Sequence, residues 1–482
     1  MLDALDAAVI ALYFVGALGV GYWSSRRIKS ADDFSVAGGH LRFPVLLGTL
    51  IATAVGASST MGKAGKAYEV GIGIFFASFA YAAGLYLFSY LAPILKRIDI
   101  WSVPQALRMR YGSAFMYMSG IIILIAVIGI FGVQLVAFGV VVVTLLPGAG
   151  VTYEQAVLGA TVIMVGYTAL GGLLAVAYTD LLQTIIMVAA IGILLPLLVI
   201  SDMGGGAPAL ASLSPPSGDW LGGMTVAFVV SIFLVDVPFS LLDNSLWLRT
   251  GASRHVADIR RGVRLTAYFF IAWSLVVTVL GVFAIELVPG LEATEGGPDA
   301  AIPLLVMEYM PPIIKGLCLA ALLAVIMSTA DTVLLISGTT VSWDLVGAMK
   351  PDMDDAAKIR VARITVFVAG AIGAAFALVV RGLFDILLLA FAVYVASLFV
   401  PVMAALFWRR ATRAGAFASA GTAFVALTGL YAMKFAGTLS DGIEPIPVSM
   451  ALGLVAMVGV SLAGGQQAAT PPLAELNSVS GR

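Results

Sequence analysis

Thirteen apolar stretches, nearly free of charge, run the length of this chain. A stretch of about 20 such residues crosses a bilayer as a helix. In lipid the backbone has no water to bond to, so helices and closed barrels alone can span. The chain is therefore read as an all-α membrane protein of about 13 transmembrane helices. The spans fall at roughly 5–25, 43–67, 71–95, 114–146, 154–171, 175–200, 224–248, 263–286, 313–343, 362–380, 383–408, 414–434 and 445–464. Composition agrees: 61% of residues are hydrophobic and 11% are charged, against about 25% charged in a soluble domain.

The charges test the count. With the N-terminus outside, one side receives Lys63, Lys66, Lys315, Arg381 and Lys434. The other 21 of the 26 Lys and Arg fall on the opposite side. Cytoplasmic loops carry the excess of Lys and Arg, and a miscounted helix would mix the loops beyond it. The expected placement is multi-pass in the plasma (inner) membrane, N-terminus extracytoplasmic and C-terminus cytoplasmic. The start, Met-Leu-Asp-Ala-Leu-Asp, is acidic, so the first span reads as retained, not as a signal peptide.

Several classes drop out. A lone Cys318 forbids an internal disulfide, and two histidines, His40 and His255, leave little for a His/Cys zinc site. Gly62-Lys63 is followed by Ala64, so it is not a phosphate loop. No Gly-x-Ser-x-Gly or His-Glu-x-x-His pattern supports an intramembrane hydrolase. No cofactor and no nucleic-acid partner are expected.

Polar residues inside the spans carry the function. Ser328, Thr329, Asp331 and Thr332 fall within five consecutive residues of the ninth span. Ser328, Asp331 and Thr332 share a helix face, at i, i+3 and i+4. Hydroxyls in membrane helices also bond back to their own carbonyls or tie helices together. An intramembrane acid, however, is a functional candidate by default. Converging hard oxygens suit Na+, by analogy with other hard cations.

Two spans carry interruptions. The second has small residues crowded around Gly56, and the seventh has Pro238, which removes a donor and clashes with the preceding turn. Each opens a block of five spans, 43–200 and 224–408, and an odd block length inverts the second block. Segment 1–30 precedes them as an extra helix. Residues 414–464 follow as two helices, and 465–482 read as a disordered tail. Interrupted helices at matching places in inverted repeats point to a midplane binding site.

The chain resembles the sodium/solute symporter family over nearly its whole length. The marks are Asp32-Asp33-Phe34 through Gly38, the Ala52–Tyr68 region with Gly62 and Gly65, and Val103–Gly112. Gly171–Gln183, the Arg249–Arg261 loop and Met327–Asp331 follow in the family's order. The resemblance implies a leucine-transporter-type fold: a five-plus-five inverted repeat with one helix before and two after. It implies Na+-coupled symport of a small organic solute, with Na+ as coupling ion. The family's principal Na+ site falls on the backbone of Ala52, Val55 and Val325 and the hydroxyls of Ser328 and Thr329. A second site, sodium or proton, falls on Asp180, Asp331 and Thr332. The substrate pocket falls on Gly56, Ser58, Phe131, Gln134 and Asp236. Proline-carrying members have aromatic residues where this chain has Ser58 and Asp236, which argues against proline. Asp243, Asn244 and Trp247 read as gate or structural residues. Proton coupling through Asp180, Asp236 or Asp331 and a transporter-like sensor are the alternatives; exchanging Na+ for choline and counterflow separate them.

Overall fold

The computed structural model describes residues 3–145, 150–206, 208–209, 213, 221, 224, 226–294, 296–379, 383–440, 443–464 and 471–476. Its helices are Ala4–Ser25 (α1), Phe43–Ala54 (α2), Lys63–Val70 (α3), Ser78–Arg97 (α4), Val103–Tyr111 (α5), Ser113–Leu145 (α6) and Tyr153–Met187 (α7). Val226–Leu242 (α8), Asn244–Ala252 (α9), Val256–Leu287 (α10) and Ile314–Thr339 (α11) come next. Asp355–Val379 (α12), Leu383–Phe407 (α13), Arg413–Phe435 (α14) and Pro445–Ala463 (α15) follow, and short helices at Ala31–Val36, Leu195–Asp202, Ala301–Tyr309 and Val346–Met349 lie between these elements. Among the described residues, ten helical runs are long and apolar enough to cross a membrane. Two shorter apolar helices, Phe43–Ala54 and Phe391–Phe407, accompany them.

The helix α11 is the axis of the molecule. Apolar side chains surround it on all sides, and such a helix belongs inside the protein; Cys318 through Thr339 are all buried. Its start is pinned by α1. Asp6 Oδ1 accepts hydrogen bonds of 2.9 Å from the N–H groups of Ile313 and Gly316. A carboxylate at a helix N-terminus satisfies orphan donors and meets the positive end of the dipole.

The helical run Tyr153–Asp202 has 50 residues, about 75 Å if straight, far more than one crossing needs. It is broken at Gly172, with φ 54 and ψ −168, a conformation favouring glycine. The fifth and sixth expected spans are thus one run divided at a single residue. The second interruption differs from expectation. Helix α8 continues through Pro238 and ends at Leu242. Asp243 (φ −53, ψ 104) starts α9, its side chain accepting from Ser245 N. A strong N-cap restarts a helix more decisively than one lost donor stops it.

Lys63 and Arg249, assigned to opposite sides of the membrane, are both buried. Part of the tail is also corrected. Leu473 is buried, Glu475 pairs with Arg409 at 2.6 Å, and Arg110 donates to Pro471 O at 3.2 Å. An apolar Pro-Pro-Leu segment gives 471–476 something to bury. Tail residues 465–470 and 477–482 lie outside the described residues.

Candidate functional site

Helix α2 ends where Val55 leaves helical geometry (φ −105, ψ 83). Past that point backbone donors need other acceptors. Gly56 N donates to Ser59 Oγ at 2.9 Å, and Ala57 N donates to Gln134 Oε1 at 3.2 Å. A π turn, Ser58–Gly62, then leads into α3.

Across from this break stands α11. Ser328 Oγ lies 3.1 Å from Ala52 O and 3.0 Å from Val325 O. A hydroxyl has one proton and two lone pairs, so it serves one carbonyl at a time. Thr329 Oγ1 is buried and has no hydrogen-bond partner among the described residues. Buried polar atoms are almost always partnered, and an exception calls for a cause. Ala52, Val325, Ser328 and Thr329 therefore come together at the break that Val55 opens. The set is all oxygen, uncharged and enclosed, chemistry that fits a hard monovalent cation.

The second cluster is arranged differently. Arg249, at the end of α9, is fully buried and enters between α2, α7 and α11. Its Nη2 lies 3.4 Å from Asp180 Oδ2, 3.0 Å from Thr332 Oγ1 and 2.8 Å from Thr49 Oγ1, and it also donates to Thr53 Oγ1. Thr49 Oγ1 in turn donates to Asp180 Oδ2 at 2.5 Å. A guanidinium thus stands between Asp180 and Thr332. Asp331 is turned elsewhere: its Oδ1 accepts from Thr168 Oγ1 at 2.8 Å, and Tyr167 lies beside it. The Arg249 guanidinium thus occupies the space between Asp180 and Thr332, and Thr168 holds one oxygen of Asp331.

Between the two interrupted helices lies a cavity of about 140 Å3. Gly56, Ser58, Gln134 and Asp236 line it. Phe131 does not. It is buried against α12, where a Cβ on Gly373 would run into its ring. Val127 and Ile130 face the cavity instead, because one residue of helical register rotates a side chain by about 100°. Thr329 and Thr332 border it, as do Asp243, Asn244 and Ser245. Asn244 Oδ1 accepts from Val103 N at 3.0 Å, tying α9 to α5. Trp247 is fully buried and donates to Leu241 O at 3.0 Å. One wall is a stacked pair, Phe239 and Phe391, with ring centroids 3.5 Å apart.

Sequence reasoning missed Lys63, which lines the cavity, and Arg249. The signal for Lys63 was its place inside an apolar span just past a break. Arg249 offered no comparable signal, since it directly follows the seventh span and reads as the first residue of a loop.

Comparison with known proteins places this architecture. Residues 34–423 match the family model "Sodium:solute symporter family". The sodium/myo-inositol cotransporter 2 of Bos taurus is 27% identical over 472 residues, covering 86% of this chain and 68% of that protein. The sodium/glucose cotransporter of Vibrio parahaemolyticus is 24% identical over 416 residues, covering 76% and 74%. The high-affinity proline transporter PutP of Bacillus subtilis (strain 168) is 26% identical over 413 residues, covering 83% and 86%. Among solved structures, the substrate-bound outward-open state of a Na+-coupled sialic acid symporter superposes with a TM-score of 0.81. It is 18% identical, and the match covers 96% of this chain and 98% of that one.

Proposed function

The chain belongs to the sodium:solute symporter family, and on that premise we propose where its ion and its solute bind. It is a multi-pass membrane transporter that couples Na+ to a small solute. Na+ is held by the carbonyl oxygens of Ala52, Val55 and Val325 and the hydroxyls of Ser328 and Thr329. The solute occupies the cavity beside the break, against Gly56, Ser58, Gln134 and Asp236, and leaves chemically unchanged. Bound Na+ fixes α2 against α11 and so orders one wall of the cavity. Ion and solute then raise each other's affinity by the same factor. The two repeats rock around this midplane site, exposing it to each side in turn. The N-terminus is extracytoplasmic and the C-terminus cytoplasmic, in the plasma membrane.

One Na+ moves per cycle. Arg249 already stands between Asp180 and Thr332, and a second cation there would meet like charge at contact distance.

The observation that carries the ion site is the Ser328 hydroxyl within reach of two carbonyls, beside a Thr329 hydroxyl with no partner among the described residues. The test is uptake in proteoliposomes by Ser328→Ala/Thr329→Ala. Na+-stimulated uptake should vanish while the protein still inserts and remains folded. Unchanged Na+ stimulation would overturn the site.

A further inference from the structure

Two opposite charges line the cavity without meeting. Lys63, at the start of α3, is 5% exposed. Its Nζ donates to Ser78 Oγ at 2.7 Å and Ser274 Oγ at 3.1 Å, and stands 5.0 Å from the Phe270 ring centroid. All three partners are neutral. An ammonium has three donors, so one remains.

Asp236, on α8, lines the same cavity. Among the described residues its carboxylate accepts no hydrogen bond and forms no ion pair. Lys63 is the charged group whose field reaches it, yet the two are too far apart to pair. Buried charges are normally paired or neutralised, because desolvation costs more than a lone charge recovers. Here each is left with an open side toward shared empty space.

The other donors fit one end of this arrangement. Gln134 Oε1 is engaged by Ala57 N, which leaves its two amide N–H groups to donate. The Ser58 hydroxyl, also at the cavity, has no partner among the described residues. One part of the remaining wall is apolar, formed by Val127, Ile130 and the Phe239–Phe391 stack. The cavity is small, about 140 Å3. It suits a compact solute.

We propose that the transported solute is a small zwitterion of the amino-acid class, its carboxylate on Lys63 and its ammonium on Asp236. This rests on the reading that the cavity is the solute site. A ligand with both charges supplies each wall with the partner it lacks, and adds no net charge to a dry site. A neutral polyol would leave both charges uncompensated. A simple carboxylate would serve Lys63 and repel Asp236. The apolar wall takes the amino acid's side chain, and small aliphatic chains fit best.

The test is thermal unfolding of the purified full chain, in Na+ and in choline. The probes are the standard α-amino acids, L-lactate, propionate, isopropylamine, myo-inositol and D-glucose. At least one small aliphatic amino acid should raise the melting temperature in Na+ and not in choline. Asp236→Asn and Lys63→Gln should each weaken its half-saturating concentration by about tenfold or more, since each loses a charged hydrogen bond. A rise with Na+ alone in both variants shows that they are folded. The proposal is overturned if lactate, propionate, isopropylamine or a polyol stabilises and no amino acid does. It is equally overturned if amino-acid affinity is unchanged in both variants. A shift with Na+ and none with any amino acid also overturns it, leaving the ion site standing. No shift with Na+, and no solute response that depends on it, strikes the ion and cavity assignment itself.

Discussion

Gly56 lies so close to Thr329 that a Cβ on Gly56 would stand 2.7 Å from Thr329 Oγ1. Only a glycine lets the break in the second span press against α11 at the unpartnered hydroxyl. Gly56→Ala must push that hydroxyl aside, an overpacking of about 1–3 kcal/mol. The Na+ concentration for half-maximal uptake should rise about tenfold, by the arithmetic of 1.4 kcal/mol per decade. A Na+ titration of uptake checks this; an unchanged midpoint would remove Thr329 from the ion site.

Arg249 and Asp180, 3.4 Å apart and both fully buried, should behave as one unit. Asp180→Asn leaves a buried guanidinium without its counter-charge, and Arg249→Met leaves a buried carboxylate. Either loss should cost about 3–5 kcal/mol. The double substitution should recover a large part, because it removes both charges. Thermal unfolding of the four proteins closes the cycle, and strictly additive losses would show that the two charges do not support each other.

Transport should carry one elementary charge per solute. A single Na+ with a net-neutral solute gives that ratio, and Arg249 stays in the chain. Charge movement and labelled-solute uptake, measured on the same proteoliposomes, give the ratio directly. A value of two would demand a second ion site.

Gly281 of α10 packs on α3 next to Lys63, where an added Cβ would overlap the backbone oxygen of Ala64. Gly281→Ala should therefore destabilise by about 1–3 kcal/mol and weaken solute binding, since α3 carries Lys63. Gly159, with open space around it, is the control: Gly159→Ala should stay within about 0.5 kcal/mol of the parent. Equal melting temperatures for the two variants would contradict the close packing of α10 on α3.

Apolar runs made the membrane fold legible, since lipid leaves the backbone few alternatives. The break at Gly56 was visible in its small residues. The second was not, because Pro238 is the louder signal and the capping bond from Ser245 N to Asp243 is a local contact that hydropathy ignores. Phe131 failed on register: a resemblance carried over one residue off turns an inward side chain outward. Lys63 and Arg249 failed for another reason. Loop assignment sorts a cation by the nearest end of a span, whereas burial depends on partners far away in the chain. Ser274 lies 211 residues from Lys63, and Thr49 lies 200 from Arg249. Only the folded chain brings those hydroxyls to the cations.

A guanidinium fastened to the backbone cannot travel with the cargo, and that sets a ceiling on accumulation. One sodium ion gains about 2.3 kcal/mol from 100 mV, which at about 1.4 kcal/mol per decade concentrates a neutral cargo about fortyfold before the sodium gradient is counted. A freely exchanging second ion would square that figure. On the one-ion proposal, Arg249 fixed in its place holds the chain to the gentler limit, one ion for each molecule gathered.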